Sequence, residues 1–321
     1  MSASLEMVPP RDYVLARDVC SYGYFVLEPN RWDPRARTFR RVLSLPGGAA
    51  TLIIEQPAPC GSRSVRAARG RPLIVSADRA LTPHDADAAR EQLARMLRLD
   101  EDHLHVRRFH RLDPRWRASG RARLLRSPTL FEDVIKTVTS CNVTWPGTVS
   151  MNRRLCEVFG DRSPSGHRAF PSPRVLARQR PSTLRARCAV GYRDGRIVEL
   201  AKLFARGKID EARWHDQATP DAELLEELIE LPGVGPYAAH NILQLLGRYG
   251  RLPLDTESVR HGRSVLGFRG NARTVMKRVD RHFAPFGDQK FRSYWFELWT
   301  AYEQQKGRSD AWEREGQALG A

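Results

Sequence analysis

Long apolar runs are missing from this 321-residue chain, and no stretch approaches the length of a membrane-spanning helix. Its opening, Met-Ser-Ala-Ser-Leu-Glu-Met, lacks a charged n-region followed by an apolar h-region, so no export signal is read and a cytoplasmic place is expected. Cysteine is sparse: Cys20, Cys60, Cys141, Cys156 and Cys188 are scattered and odd in number. Such spacing excludes a disulfide framework and predicts reduced thiols. Negative charge is also short, with 37 acidic side chains against 53 Lys and Arg and a net charge of +16. That balance favours a polyanion, either nucleic acid or an anionic surface. Arginine greatly outnumbers lysine, and a GC-rich coding sequence is the bland source of part of that excess.

Metal-ligand spacing is missing too. His103, His105 and His110 lie beside Arg107, Arg108 and Arg111 without the acidic and histidine partners of a zinc helix. A solvated basic face is the better reading, and no metal is expected. There is no internal repeat, and the only biased segments are Arg-rich turns.

Two patterns divide what is present. Tyr22–Leu27, Thr38–Leu45, Thr51–Glu55 and Pro72–Ala77 are short β-prone runs between Pro-, Gly- and Arg-rich turns. Thr82-Pro83 opens the first helical signal, which ends near Leu99. From about residue 112 the period is helical, with apolar faces over 130–138, 149–158 and 197–204 and stops at Gly160 and Gly207. The expected fold is α+β and mainly α: an N-terminal antiparallel β-sheet lobe over 1–111, then an orthogonal helical bundle over 112–321.

Residues 228–260 are the most informative. Thr219-Pro220 reads as a cap and first-turn proline for a helix through Leu224, Leu225, Leu228 and Ile229. Pro232-Gly233-Val234-Gly235 permits only a tight turn, and Pro236 starts a second helix through Ala239, Ile242, Leu243 and Leu246. Such a hairpin aims free backbone N–H groups outward, which suits a phosphate. A Gly250–Pro253 loop then leads to Asp255, eighteen residues after Tyr237, at the start of another helix. An aspartate there is a favoured cap in its own right.

This block resembles the helix-hairpin-helix/Gly-Pro-Asp superfamily of base-excision DNA glycosylases. The likeness spans roughly residues 125–265 through Ser140-Cys141-Asn142, Arg154–Gly160, Ala169–Ser172 and Gly191-Tyr192-Arg193. It is closest to the 8-oxoguanine and 3-methyladenine II branches, whose sheet lobe matches faintly through Ser21-Tyr22-Gly23 and Trp32.

The resemblance implies roles for particular residues. Asp255 becomes the carboxylate that serves an oxocarbenium-like transition state at C1′. Gly233, Val234 and Gly235, in a hairpin near 231–236, hold a DNA phosphate. Asn142 fills the gap left by a flipped nucleotide, while Tyr192 and Arg193 contact the opposite base or a phosphate. The pocket takes Tyr237, Tyr294, Glu297 and Gly23, at the meeting of two helical subdomains; each aromatic of 291–302 is also a candidate for core packing.

Tyr237 stands where members that nick DNA carry lysine, which implies a monofunctional enzyme. No cysteine follows Asp255, so no iron–sulfur cluster is implied, and a monovalent cation at the hairpin is the one ion the resemblance allows. The implied partner is double-stranded DNA with a damaged base, met by a monomer associated with the nucleoid. Two alternatives stay open: an 8-oxoguanine-type enzyme with another nucleophile, and a non-catalytic duplex- or lesion-binding protein.

Overall fold

In the computed structural model, residues 4–58 and 65–312 are described. Cys60 lies outside them; Cys20, Cys141, Cys156 and Cys188 are unpaired thiols. The N-terminal lobe is a five-stranded antiparallel sheet of β1 (Ser4–Met7), β2 (Asn30–Asp33), β3 (Thr38–Leu45), β4 (Gly48–Glu55) and β5 (Leu73–Ala77), in the order β1-β5-β4-β3-β2. Pro46 and Gly47 close the β3–β4 hairpin, with Leu45 opposite Gly48. The Gly47 amide donates to Asp85 at 2.7 Å, and a Cβ at Gly47 would lie 2.7 Å from that carboxylate. Asp85 also completes a capping box with Thr82, tying the hairpin to the next helix.

Helices α1 (Leu15–Val19), α2 (Pro83–Met96) and α3 (His103–Leu112) complete the lobe. A second unit follows: α4 (Leu130–Ser140), α5 (Trp145–Phe159), α6 (Pro173–Ala177), α7 (Pro181–Cys188), α8 (Asp194–Ala205), α9 (Glu211–His215), α10 (Asp221–Ile229) and α11 (Pro236–Leu245). Gly160 stops α5 where any Cβ would collide with the Ala169 carbonyl. The chain then returns to the first lobe as α12 (Thr256–Ser264), α13 (Ala272–Phe283) and α14 (Lys290–Lys306).

Packing therefore does not divide at residue 111. One core joins the sheet lobe to the last three helices, through Phe25, Phe39, Phe109, Phe283 and Trp299; the other holds α4 to α11 around Val134, Leu155, Ile197 and Ile242. The expected body over 112–321 is thus two helical units, one of which shares its apolar face with the sheet. The units are bolted by Arg41 of β3, fully buried, which reaches Glu132 of α4 at 2.6 Å. Lys136 lies 2.7 Å from the same carboxylate.

Two local expectations fail. Tyr22–Leu27 is a 3-10 turn over Gly23–Val26 and not a strand. Tyr22, Tyr24, Phe25 and Leu27 are all buried, so no alternating face is left, and the backbone closes on itself from Phe25 N–H to the Tyr22 carbonyl. Thr219 does not cap α10, because its hydroxyl donates to the Arg213 carbonyl and Pro220 occupies the cap.

Candidate active site

A cavity of about 380 Å³ opens where the two units meet. Each contributes a wall: Tyr22, Gly23 and Tyr24 from the lobe, Thr137 and Trp145 from α4 and α5, Tyr237 from α11, and Tyr294, Trp295 and Tyr302 from α14. Asp255 and Glu257 line it at the start of α12. Two larger grooves lie elsewhere: one of about 1010 Å³ between the N-terminal segment and α3, and one of about 650 Å³ between α2 and the α4, α8 and α9 side of the second unit. Only the smaller cavity joins aromatic walls to the predicted carboxylate.

Asp255 is both cap and cavity acid. Its Oδ1 accepts from the Ser258 amide at 3.0 Å and the Ser258 hydroxyl at 3.1 Å, while its own amide donates to that hydroxyl. The capping box holds the carboxylate rigidly at the helix N-terminus. Burial still pushes its pKa above the ordinary aspartate value, and the Glu257 charge adds to that. The phenol of Tyr237, in the first turn of α11, is likewise pushed up by burial and by Asp255. Tyr294 donates to Ser258 Oγ at 3.3 Å, so its hydroxyl is anchored behind the carboxylate.

The sequence placed Asp255, Tyr237, Tyr294 and Gly23 together, and the fold brings all four to this cavity. Glu297 is a correction. On α14 the lining residues are 294, 295, 298 and 302, and 297 is not among them. Glu297 instead accepts from buried His261 at 2.9 Å and pairs with Arg115. Tyr302 and Glu257 were missed; the i, i+4, i+8 spacing from Tyr294 could have revealed the first.

The hairpin presents the Gly233, Gly235 and Tyr237 amides without a partner among the described residues, as a phosphate site requires. Val234 departs from expectation: its amide donates to the Leu231 carbonyl at 3.1 Å and its side chain is in the core. Gly233 adopts φ 81°, and a Cβ there would sit 2.7 Å from Arg196. Gly235 has ordinary dihedrals and open space beside it.

Asn142 is exposed in the left-handed region, with its amide 3.4 Å from the Tyr192 hydroxyl. Tyr192 is 49% exposed. Arg193 is a second correction: it is buried, and its guanidinium donates to the carbonyls of Val138, Cys141 and Asn142. An arginine spent on the open C-terminal end of α4 has little left for DNA. Arg196, exposed and stacked 4.9 Å from the Tyr192 ring, is the available cation beside it. Among the described residues no three His, Cys, Asp or Glu side chains gather to hold a metal.

A fold of this kind is shared with solved DNA glycosylases. A 3-methyladenine DNA glycosylase from Archaeoglobus fulgidus is similar with a TM-score of 0.65 and 19% identity over 93% of this chain and 98% of that one. MBOgg1 in complex with a low affinity DNA ligand gives 0.67 and 17% over 96% and 98%. The Clostridium acetobutylicum 8-oxoguanine glycosylase/lyase, bound to double-stranded DNA with cytosine opposite 8-oxoG, gives 0.65 and 15% over 95% and 98%. No protein-family model and no curated protein matches the sequence. The chain has the helix-hairpin-helix DNA glycosylase fold.

Proposed function

We propose that this protein is a monofunctional base-excision DNA glycosylase that hydrolyses the N-glycosidic bond of a damaged purine flipped out of duplex DNA. The carrying observation is the cavity that sets a rigid, desolvated Asp255 against the aromatic walls of Tyr22, Tyr237 and Trp145. An extruded base stacks on those faces, and the carboxylate beside C1′ stabilises the positive charge that develops as the bond breaks. Among the described residues no lysine or arginine lines the cavity. The buried Lys136 is held against Glu132, with its ammonium on the Tyr24 ring, and is 0% exposed. Water is therefore the nucleophile in this reading, and the product is an intact strand with an abasic site. The free hairpin amides grip a flanking phosphate; a monovalent cation there takes backbone carbonyls as its hard oxygen donors. The protein acts as a monomer on nucleoid DNA.

Duplexes carrying 3-methyladenine, hypoxanthine or 8-oxoguanine, incubated and then split with and without alkali, test the reading. Breaks only after alkali, and no borohydride-trapped protein–DNA adduct, are the expected outcome. Alkali-independent nicks with trapping would place an amine at C1′ and return the 8-oxoguanine-type reading. No breaks under either condition would leave a lesion-binding protein.

A further inference from the structure

Glu257 has no part in the chemistry above, yet it lines the same cavity two residues from Asp255. Its hydrogen bonds are lopsided. Arg260 Nε at 2.9 Å, Arg260 Nη2 at 2.7 Å and the Tyr302 hydroxyl all reach Oε2. Oε1 accepts none among the described residues. The side chain is thus pinned through one oxygen and keeps the lone pairs of the other. Asp255 repeats the pattern, with both Ser258 bonds on Oδ1.

Glu257, 37% exposed, shares the cavity lining with large aromatic side chains. Tyr22, Tyr237, Tyr294, Trp145 and Trp295 line the cavity beside the carboxylate, and an aromatic face attracts a cation held over it. Trp295 is fixed as a wall by its indole N–H on the Ser21 carbonyl at 2.8 Å and by stacking between Phe291 at 6.0 Å and Trp299 at 5.4 Å. Arg260, which supports Glu257 against Tyr302, does not itself line the cavity. A carbonyl-edged neutral base meets two carboxylates there and gains nothing from them.

Taking the cavity as the base pocket, we infer that Glu257 Oε1 reads the base edge. It accepts from an exocyclic amino or ring N–H group and selects positively charged, donor-edged purines over neutral ones. Removing the carboxylate charge forfeits a charge-assisted hydrogen bond, which is worth about tenfold or more in discrimination.

The test compares wild type with Glu257→Gln and Glu257→Asp in two assays. In the first, kcat/KM is measured for 3-methyladenine, cationic in DNA, against neutral hypoxanthine. In the second, quenching of tryptophan fluorescence reports binding of 1-methyladenosine, a cation at neutral pH, against adenosine. Glu257→Gln should lower the cation-to-neutral ratio about tenfold in both. Glu257→Asp, which keeps the charge, should recover part of it, a rescue that a merely structural role would not give. Excision with an unchanged ratio and unchanged nucleoside preference overturns the inference and leaves the glycosylase reading standing. Charge-selective nucleoside binding that Glu257→Gln abolishes, without excision of any base, does the reverse. Neither binding nor excision by the wild type overturns both.

Discussion

Asp255 carries two duties through two oxygens. Oδ1 completes the cap of α12 while the same desolvated carboxylate faces the cavity. Asparagine caps helices about as well as aspartate, so Asp255→Asn should leave the melting temperature nearly unchanged. Excision should fall by about a hundredfold or more, since the amide cannot stabilise developing positive charge. DNA affinity should hold or rise, because a charge that repels phosphate is gone. Excision within a few-fold of wild type would remove Asp255 from the chemistry. The pH dependence follows from the same group. Burial raises its pKa, and the ionised form is the active one. Activity should therefore decline on acidification at a pH above the ordinary aspartate range, with a limb that Asp255→Asn abolishes; rates across acidic buffers measure it.

At the scale of elements, the hairpin separates folding from binding within three residues. Gly233 needs its glycine for the fold, because of its positive φ and the approach of Arg196. Gly235 does not: its φ is −98° and nothing lies within 4 Å of an added Cβ. Gly233→Ala should destabilise the protein by about 1–3 kcal/mol. Gly235→Ala should cost no more than about 1 kcal/mol, the loss of a glycine N-cap, and yet bind duplex about tenfold more weakly, since a methyl group stands where a phosphate must approach the amides. Thermal melts paired with DNA titrations distinguish the two, and undiminished binding by Gly235→Ala would remove the hairpin from the interface.

Across the whole molecule, buried arginine–carboxylate pairs join the parts. Glu132 is opposed by burial yet held at about 2 by Arg41 and Lys136, and Glu101 at about 2 by Arg292 and Arg98. Both folded values lie below the unfolded glutamate value of about 4.3. Their stabilisation is present in full above that value and lost as pH falls from there towards about 2. The urea midpoint should drop steeply across this window. Glu132→Gln should cost about 3–5 kcal/mol by leaving Arg41 and Lys136 uncompensated, and should flatten the decline. The surface charge acts separately. With a net charge of +16, affinity for undamaged duplex should fall at least about tenfold between 50 and 200 mM salt. A flat response would mean that the basic excess is no DNA footprint.

Local chemistry was legible in the chain itself. Thr38–Leu45 is a β-prone run and forms a strand, Gly160 ends its helix, and the Gly-rich turn, Pro236 and Asp255 announce hairpin, helix start and cap. Each rests on dihedral limits or nearest-neighbour hydrogen bonds, which a few adjacent residues determine. Only the tertiary structure decided the rest. Glu297 and Tyr302 share one helix, and the direction of its cavity face depends on what packs behind it. Arg193 looked free until the carbonyls ending α4 claimed it, and Glu257 gained meaning only when Tyr302 and Arg260 bound one of its oxygens. Tyr22–Leu27 reads as strand by propensity, but with Tyr22, Tyr24, Phe25 and Leu27 all buried the chain turns at Gly23–Val26, and Tyr22 packs on Trp295, 4.7 Å away and 273 positions along the chain. Backbone preference is a local property, whereas the allotment of polar atoms and aromatic faces is settled by contacts between segments far apart in sequence.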